Sequence, residues 1–255
     1  MRRLVLIAMV GLVSCYGDRG SGTLTLDKVL DADWEALDYE VVTTMPEQQK
    51  GGLAVVFLHG YGRNGAYYSD LAQAILDDDT RVILPTAVLP HSPGQGAMWW
   101  EFLEEDWPKP YPVDPSASAW PEPSQQLPRA RDAVVALVAR VRDRYQPDSV
   151  LMAGHSQGAM LALDVAMVVD PPVDRVVSVS AYVLLDSVPN ITKPRSERPA
   201  VLVSHGRRDQ LVGFHAAESM RELLEENGFA VTFKPHDGEH AVNQAATRDV
   251  REFLH

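Results

Sequence analysis

Residues 150–163 read VLMAGHSQGAMLAL, a serine set between two glycines with an apolar run on either side. Gly154-His155-Ser156-Gln157-Gly158 has the form G-x-S-x-G, which composition alone would place in roughly one chain in ten of this length. Its surroundings are more selective than the motif. A strand candidate from Ser149 to Met152 precedes it, and an apolar helical pattern from Ala159 to Val168 follows. A strand that turns abruptly into a helix needs small residues flanking the turn, and it leaves the serine side chain clear of the sheet. The N-terminus of that helix then directs its dipole and free N–H groups at any negative charge developing beside the serine. The segment therefore predicts a nucleophile elbow at Ser156, the alternative being a plain glycine-rich strand-to-helix turn.

Outward from this stretch, short β-branched runs alternate with helical patterns from about Val41. The strand candidates are Leu53–Leu58, Arg81–Leu84, Ser149–Met152, Arg175–Val179, Ala200–Val203 and Ala230–Phe233. Apolar residues at 130, 133, 134, 137, 138, 141 and 145 form a helical stripe, and a second helix from Phe214 to Asn227 stops at Gly228. This alternation predicts an α/β fold with a mainly parallel central sheet and helices on both faces. One region breaks the rhythm: between Thr86 and Leu127 no element of comparable strength stands out. The segment from Pro85 to Pro128 holds ten of the 18 prolines, and residues 99–120 hold four of the five tryptophans. Long irregular segments in compact domains are commonly functional, and aromatic content argues for a folded excursion over one end of the sheet.

A serine hydroxyl needs a base to take its proton. In a fold with this elbow the partners follow the serine in the order acid, then histidine. After the strand Ala200–Val203 comes SHGRRDQLV, with Asp209 on the following loop. After Ala230–Phe233 comes KPHDGEHAV, with His240 on the loop before the last helix. Both stand just past strand ends, where open α/β sheets bind ligands. His240 would deprotonate Ser156, and Asp209 would fix the imidazole tautomer and stabilise its cation. Rivals exist for each. His236 could be the base but belongs more naturally to the sheet edge, and His155 should point away from the hydroxyl. His91 precedes the serine, His205 reads as a hydrogen-bonding loop residue, and His215 and His255 read as solvated. Asp186 is the chief rival acid, followed by Asp237 and Asp170.

The anion site should lie in FLHGYGRNG, where glycines 60, 62 and 65 let backbone approach a substrate. Two N–H groups are expected to hold the oxyanion, one from Gln157 after the nucleophile and one from Tyr61 in this loop. His59 reads as a packing residue rather than a metal ligand.

Composition bounds the rest. The 255 residues suit one domain, 45% apolar and 23% charged, with a formal charge of −12 that argues against a nucleic-acid partner. A single cysteine excludes a disulfide framework and a Cys-rich metal site. That cysteine is informative all the same. The chain opens MRRLVLIAMVGLVSCYGD, in which two arginines precede ten uncharged residues, Leu4 to Val13. Ten helical residues span about 15 Å, half a hydrocarbon core, so this is a signal segment and not a membrane span. Leu12-Val13-Ser14-Cys15 resembles the bacterial lipoprotein lipobox, which implies cleavage before Cys15, its acylation, and a stable lipid anchor; an ordinary secretory signal is the alternative. Loss of residues 1–14 removes Arg2 and Arg3 and no acid, taking the formal charge to about −14. Tyr16 follows the cysteine, with no aspartate there to suggest inner-membrane retention, so an outer-membrane location in the bacterial envelope is expected. Residues 16–26 read as a short tether.

Taken in order, HGYGRNG, GHSQGA, HGRRDQLV and DGEH resemble the oxyanion loop, elbow, acid loop and histidine stretch of the phospholipase/carboxylesterase branch of the α/β-hydrolases. The resemblance covers about residues 50–254. It implies an α/β-hydrolase domain over 37–255, after a signal at 1–14 and a tether and approach at 15–36. It also implies serine ester or thioester hydrolysis through an acyl-enzyme, with no metal or organic cofactor. Arg63 stands where that family often carries an acid, and the 86–127 excursion is longer than its usual Trp-bearing loop. Both departures touch substrate choice. Met98, Trp99 and Trp100 are expected to line the acyl or aryl pocket, or else to pack beneath their own loop. The expected partners are a small or polymeric ester and, through the anchor, a membrane. A serine peptidase and a catalytically silent anchored binding protein remain the rival functions.

Overall fold

The computed structural model describes residues 34, 37–91, 96–101, 126–194 and 197–254. The expected signal at 1–14, Cys15, the tether, His255 and most of the 86–127 excursion lie outside the described residues. The strands are β1 (Tyr39–Thr43), β2 (Leu53–Leu58), β3 (Thr80–Pro85), β4 (Leu89–Pro90), β5 (Ala97–Met98), β6 (Ser149–His155), β7 (Arg175–Val179), β8 (Ala200–Gly206) and β9 (Val231–His236). The helices are α1 (Ser69–Ile75), α2 (Gln126–Tyr145), α3 (Gln157–Ala166), α4 (Val188–Thr192), α5 (Phe214–Glu226) and α6 (Gln244–Leu254). Seven strands form one sheet in the order β1-β3-β2-β6-β7-β8-β9. Only β1 runs antiparallel to its neighbour; every other pairing is parallel.

Both faces of this sheet are covered, which is why its central strands read as largely apolar runs. Val56 and Leu58 of β2 and Met152 of β6 join Leu137 of α2, Leu161 of α3 and Met220 of α5 in one core layer. The alternate residues Val55, Phe57 and Leu151 join Ile75 of α1 and Val250 of α6 in the other. The strand ends extend past the apolar runs because backbone pairing is indifferent to side chain: Ser204 still pairs with Lys234 and Gly206 with His236. β1 carries little sequence signal, since only Val42 of its five residues is buried at the sheet edge. Helix α2 begins at Gln126, ahead of the apolar stripe, with Pro128 in the first turn where its missing N–H is harmless. Inside the excursion, β4 and β5 form a two-residue antiparallel ladder that the sequence does not announce.

The chain order positions the site. From β2 the chain moves to β3 on one side, and later returns to β6 on the other. Loops leaving β2 and β6 therefore diverge at their carboxyl ends and open a crevice, the switch point where α/β sheets bind ligands. The loop after β2 is the glycine-rich HGYGRNG stretch, and the turn after β6 carries Ser156. Helix α3 is held from behind by a buried ion pair. Asp164, fully buried, accepts from the Arg131 guanidinium of α2, at 3.1 Å for one of its two contacts, and from Ser187 Oγ at 2.6 Å.

Candidate active site

Ser156 sits at φ 53°, ψ −124°, a conformation rare for a residue with a side chain. Such backbone strain costs about 1–3 kcal/mol and persists only where the surroundings enforce it. The surroundings here are close-packed backbone. A Cβ on Gly154 would lie 2.4 Å from the Gly158 carbonyl carbon, and one on Gly158 would lie 2.2 Å from the Leu58 oxygen. The Ser156 N–H donates to the Val179 carbonyl at 2.9 Å, pinning the turn to β7.

Asp209, 6% exposed, follows β8. Its Oδ1 accepts the N–H groups of Leu211 at 2.9 Å and Val212 at 2.8 Å. Its Oδ2 meets His240 Nδ1 at 2.7 Å, and His240 Nε2 lies 2.9 Å from Ser156 Oγ. Burial pushes the Asp209 carboxyl up, but the bonds from His240 and the Val212 N–H outweigh it and hold the group below the ordinary carboxylate value. A carboxylate at Nδ1 takes that nitrogen's proton as a hydrogen bond and leaves the Nε2 lone pair facing the serine hydroxyl. The acid and histidine loops are also laced together: Arg207 N–H donates to the His236 carbonyl at 2.7 Å, and Arg208 N–H to the Gly238 carbonyl at 2.9 Å. The structure thus brings Ser156, Asp209 and His240 into one hydrogen-bonded chain.

The rival residues are placed elsewhere. His236 Nδ1 accepts from the Gly238 N–H at 3.1 Å and faces Asn243. His205 donates from Nε2 to the Val212 carbonyl at 2.9 Å and passes 3.4 Å from Asp209, bracing the acid loop. His91 packs edge-on against the Tyr61 ring, and His215 is exposed on α5. Asp186 lies in the Leu185–Ser187 turn near the Asp164–Arg131 pair, its carboxyl raised by burial and then by Asp164. His59 is fully buried, with Nδ1 donating to the Gly60 carbonyl at 2.8 Å and Nε2 accepting from the Ala87 N–H at 3.0 Å. Among the described residues, no group of three or more His, Cys, Asp or Glu side chains is arranged to hold a metal ion.

His155 is more interesting than a turn residue. The Tyr68 hydroxyl accepts from the Gly60 N–H at 3.2 Å and lies 2.8 Å from His155 Nδ1. Because the Tyr68 oxygen already accepts the Gly60 N–H, its phenolic proton goes to Nδ1, and the His155 Nε2 proton is left buried with no acceptor among the described residues. Burial, then the neighbouring His240, lower the His155 pKa to about 3. So weak a base, with its Nδ1 already bonded to Tyr68, is unsuited to taking the serine proton.

These buried histidines make folding acid-sensitive. Burial lowers the His59 pKa to about 4. Unfolded histidine binds its proton near pH 6.5, whereas the folded ring refuses it until about pH 4, so the unfolded state holds more protons across that window. Stability is then complete above pH ~6.5 and falls on acidification, by about 3 kcal/mol at the bottom of the window from His59 alone. Urea midpoints measured between about pH 7 and 4 should decline steadily; a flat profile would refute the assignment of His59 as a buried neutral ring.

Gln157 is the first residue of α3, a position whose N–H has no intrahelical acceptor. Its side chain has a second task that the sequence did not reveal. Oε1 accepts the Trp99 N–H at 2.9 Å and Nε2 donates to the Trp100 carbonyl at 2.7 Å. The Trp99 indole N–H donates to the His59 carbonyl at 2.9 Å, and its ring stacks on His59 at 5.0 Å. Met98, Trp99 and Trp100 are consequently buried at 3%, 0% and 5% exposure and do not line the cavity at Ser156. The pocket expectation for these three residues is corrected: they form a buttress under the elbow and the glycine loop, because apolar bulk anchored by an indole N–H is most stable in the core.

The cavity above Ser156 and His240 has a volume of about 1020 Å³. Tyr61 stands in its wall, together with Arg63, Tyr67, Met160 and Leu211. The cavity continues into a cleft between α1 and α6, walled by Leu71 and Ala74 on one side and Thr247, Arg248 and Arg251 on the other. No motif marked these two helices. Their only sequence signal is the spacing of residues 244, 247, 248 and 251, which share one helix face.

The phospholipase/carboxylesterase family model matches residues 38–255. Acyl-protein thioesterase 1 of Debaryomyces hansenii is 23% identical over 216 residues, 79% of this chain and 89% of that protein. A probable carboxylesterase of Oryza sativa subsp. japonica is 25% identical over 195 residues, 72% of this chain and 69% of that one. Among solved structures, the carboxylesterase from Mesorhizobium loti superposes with a TM-score of 0.68 at 18% identity, over 86% of this chain and 94% of that one, a likeness of fold.

Proposed function

The chain belongs to the phospholipase/carboxylesterase family, and from that premise we propose that it hydrolyses carboxylic esters or thioesters through an acyl-enzyme on Ser156. The observation that carries this reading is the chain Ser156 Oγ–His240 Nε2 and His240 Nδ1–Asp209 Oδ2, 2.9 and 2.7 Å long, at the floor of a large cavity. His240 takes the serine proton as Oγ attacks the carbonyl, and Asp209 stabilises the imidazolium. The backbone N–H groups of Gln157 and Tyr61 hold the oxyanion of the tetrahedral intermediate. His240 then protonates the leaving alcohol or thiol. A water molecule deprotonated by the same nitrogen attacks the acyl group and frees Ser156.

A fluorophosphonate probe tests this directly. It should form one covalent adduct, mapped by peptide mass to the segment containing Ser156. Folded protein that stays unlabelled would instead support the catalytically silent binder. We propose further that residues 1–14 are a signal and that acylated Cys15 anchors the domain to the cell envelope. Cys15→Ser should move the protein from the membrane pellet to the soluble fraction, and an unchanged distribution would rule the anchor out.

A further inference from the structure

We propose that the α1–α6 cleft receives an ester arm ending in an anionic group, a carboxylate or a phosphate, which Arg248 and Arg251 bind with Arg63 at the cavity mouth. The inference rests on the reading of Ser156 as the nucleophile. Its starting point is an inversion of charge. The chain carries a formal charge of −12, yet the cavity wall holds Arg63, Arg248 and Arg251 against a single acid, Asp70. A cleft of one sign with apolar walls concentrates ligands of the other sign.

The arginines are also available. Elsewhere on the surface Arg144 pairs with Glu47 at 3.0 Å, and Arg221 with Glu222 at 3.3 Å. Among the described residues no carboxylate lies within salt-bridge distance of the three cavity arginines. Arg63 lies over the Tyr67 ring, its Cζ 4.4 Å from the ring centroid, a cation–π contact that neutralises none of its charge. Arg251 donates one N–H to the Ala74 carbonyl at 3.3 Å, which fixes the side chain across the cleft and leaves most of its five donors unused. A planar fork of this kind is suited to bidentate binding of carboxylate or phosphate.

Position sets the kind of substrate. Gln244, Thr247, Arg248 and Arg251 line the cavity along one face of α6, which begins four residues after His240. Seven residues of helix advance about 10 Å, so the exposed Arg251 stands at the rim of the cleft two turns beyond the start of α6. Between them the opposite wall is Leu71 and Ala74. The shape therefore fits an apolar arm of several carbons with the anion at its far end.

The test compares esters that differ only in the terminal group. One series is the p-nitrophenyl esters of eight-carbon acids bearing an ω-carboxylate, ω-phosphonate or ω-carboxamide. The other carries the same termini on the alcohol arm of an acetate ester, followed by proton release. At low salt, at least one anionic member should exceed its neutral partner in kcat/KM by about tenfold, and the excess should shrink as salt is added. Which anion wins distinguishes a carboxylate source from a phosphate source. In an Arg248→Gln/Arg251→Gln double variant that ratio should fall to about one, and Arg248→Glu/Arg251→Glu should turn the preference toward an ω-ammonium ester. A ratio is insensitive to partial misfolding, and a reversed preference cannot arise from it. Equal rates for charged and neutral esters in the wild type, or a preference that survives both double variants, overturns the proposal. If the fluorophosphonate adduct fails to map to Ser156, the reading of the nucleophile falls instead.

Discussion

His240→Ala is expected to lower kcat for a p-nitrophenyl ester by about 10⁶-fold, and Ser156→Ala by a similar factor. The two side chains act as one unit across the 2.9 Å Ser156–His240 contact, so a double variant should be hardly worse than either single one. What survives is the modest acceleration from oxyanion N–H groups and binding, about 10³–10⁴ over water. Thermal midpoints should stay close to wild type, because the side-chain hydrogen bonds of the His240 ring run to Ser156 and Asp209 within the site and brace no helix or strand. Steady-state kinetics with a circular-dichroism melt on each variant decide the matter. A loss below about a hundredfold for either residue, with the fold intact, would mean that another base or nucleophile does the work.

Asp209→Asn should cost about 10⁴ in kcat while leaving KM little changed. The direction follows from the bonds on the two oxygens. Oδ1 accepts from the Leu211 and Val212 N–H groups, so the asparagine carbonyl must occupy that side. The amide NH₂ then takes the place of Oδ2, 2.7 Å from His240 Nδ1, and donates to it. Nδ1 becomes the acceptor, the proton moves to Nε2, and the lone pair that should receive the serine proton is gone. Raising the pH should not restore activity in this variant, because the neutral imidazole it produces still carries its proton on Nε2. Activity within tenfold of wild type would show that the carboxylate does not govern the tautomer.

Much of the molecule was legible because the relevant physics is local or periodic. A parallel sheet covered on both faces favours apolar strands, and Leu53–Leu58, Val150–Met152 and the valines of Arg175–Val179 show them directly. The elbow was legible for a steric reason, since only glycine fits where helix α3 meets the ends of β2 and β6. Asp209 and His240 could be chosen from among several acids and eight histidines because each follows a strand, in the order the fold permits.

The residues whose roles the sequence left open share a different character. The segment Met98–Trp100 could be pocket wall or loop packing because aromatic residues suit pockets and cores equally. Its burial was decided by Gln157 and His59, 57 and 40 residues away, whose polar groups satisfy its backbone and indole. The role of His155 depends on Tyr68, 87 residues earlier, and the charge of the cleft on two helices at opposite ends of the domain. By itself the sequence determined the layered fold, the elbow and the order of the reacting groups, because strand periodicity, turn sterics and chain order are properties of the chain. Only the tertiary structure decided which aromatics hold the site up, which imidazole stays neutral and which charges line the cavity. Those depend on where side chains from distant elements point when they meet, and spacing along the chain carries no record of it.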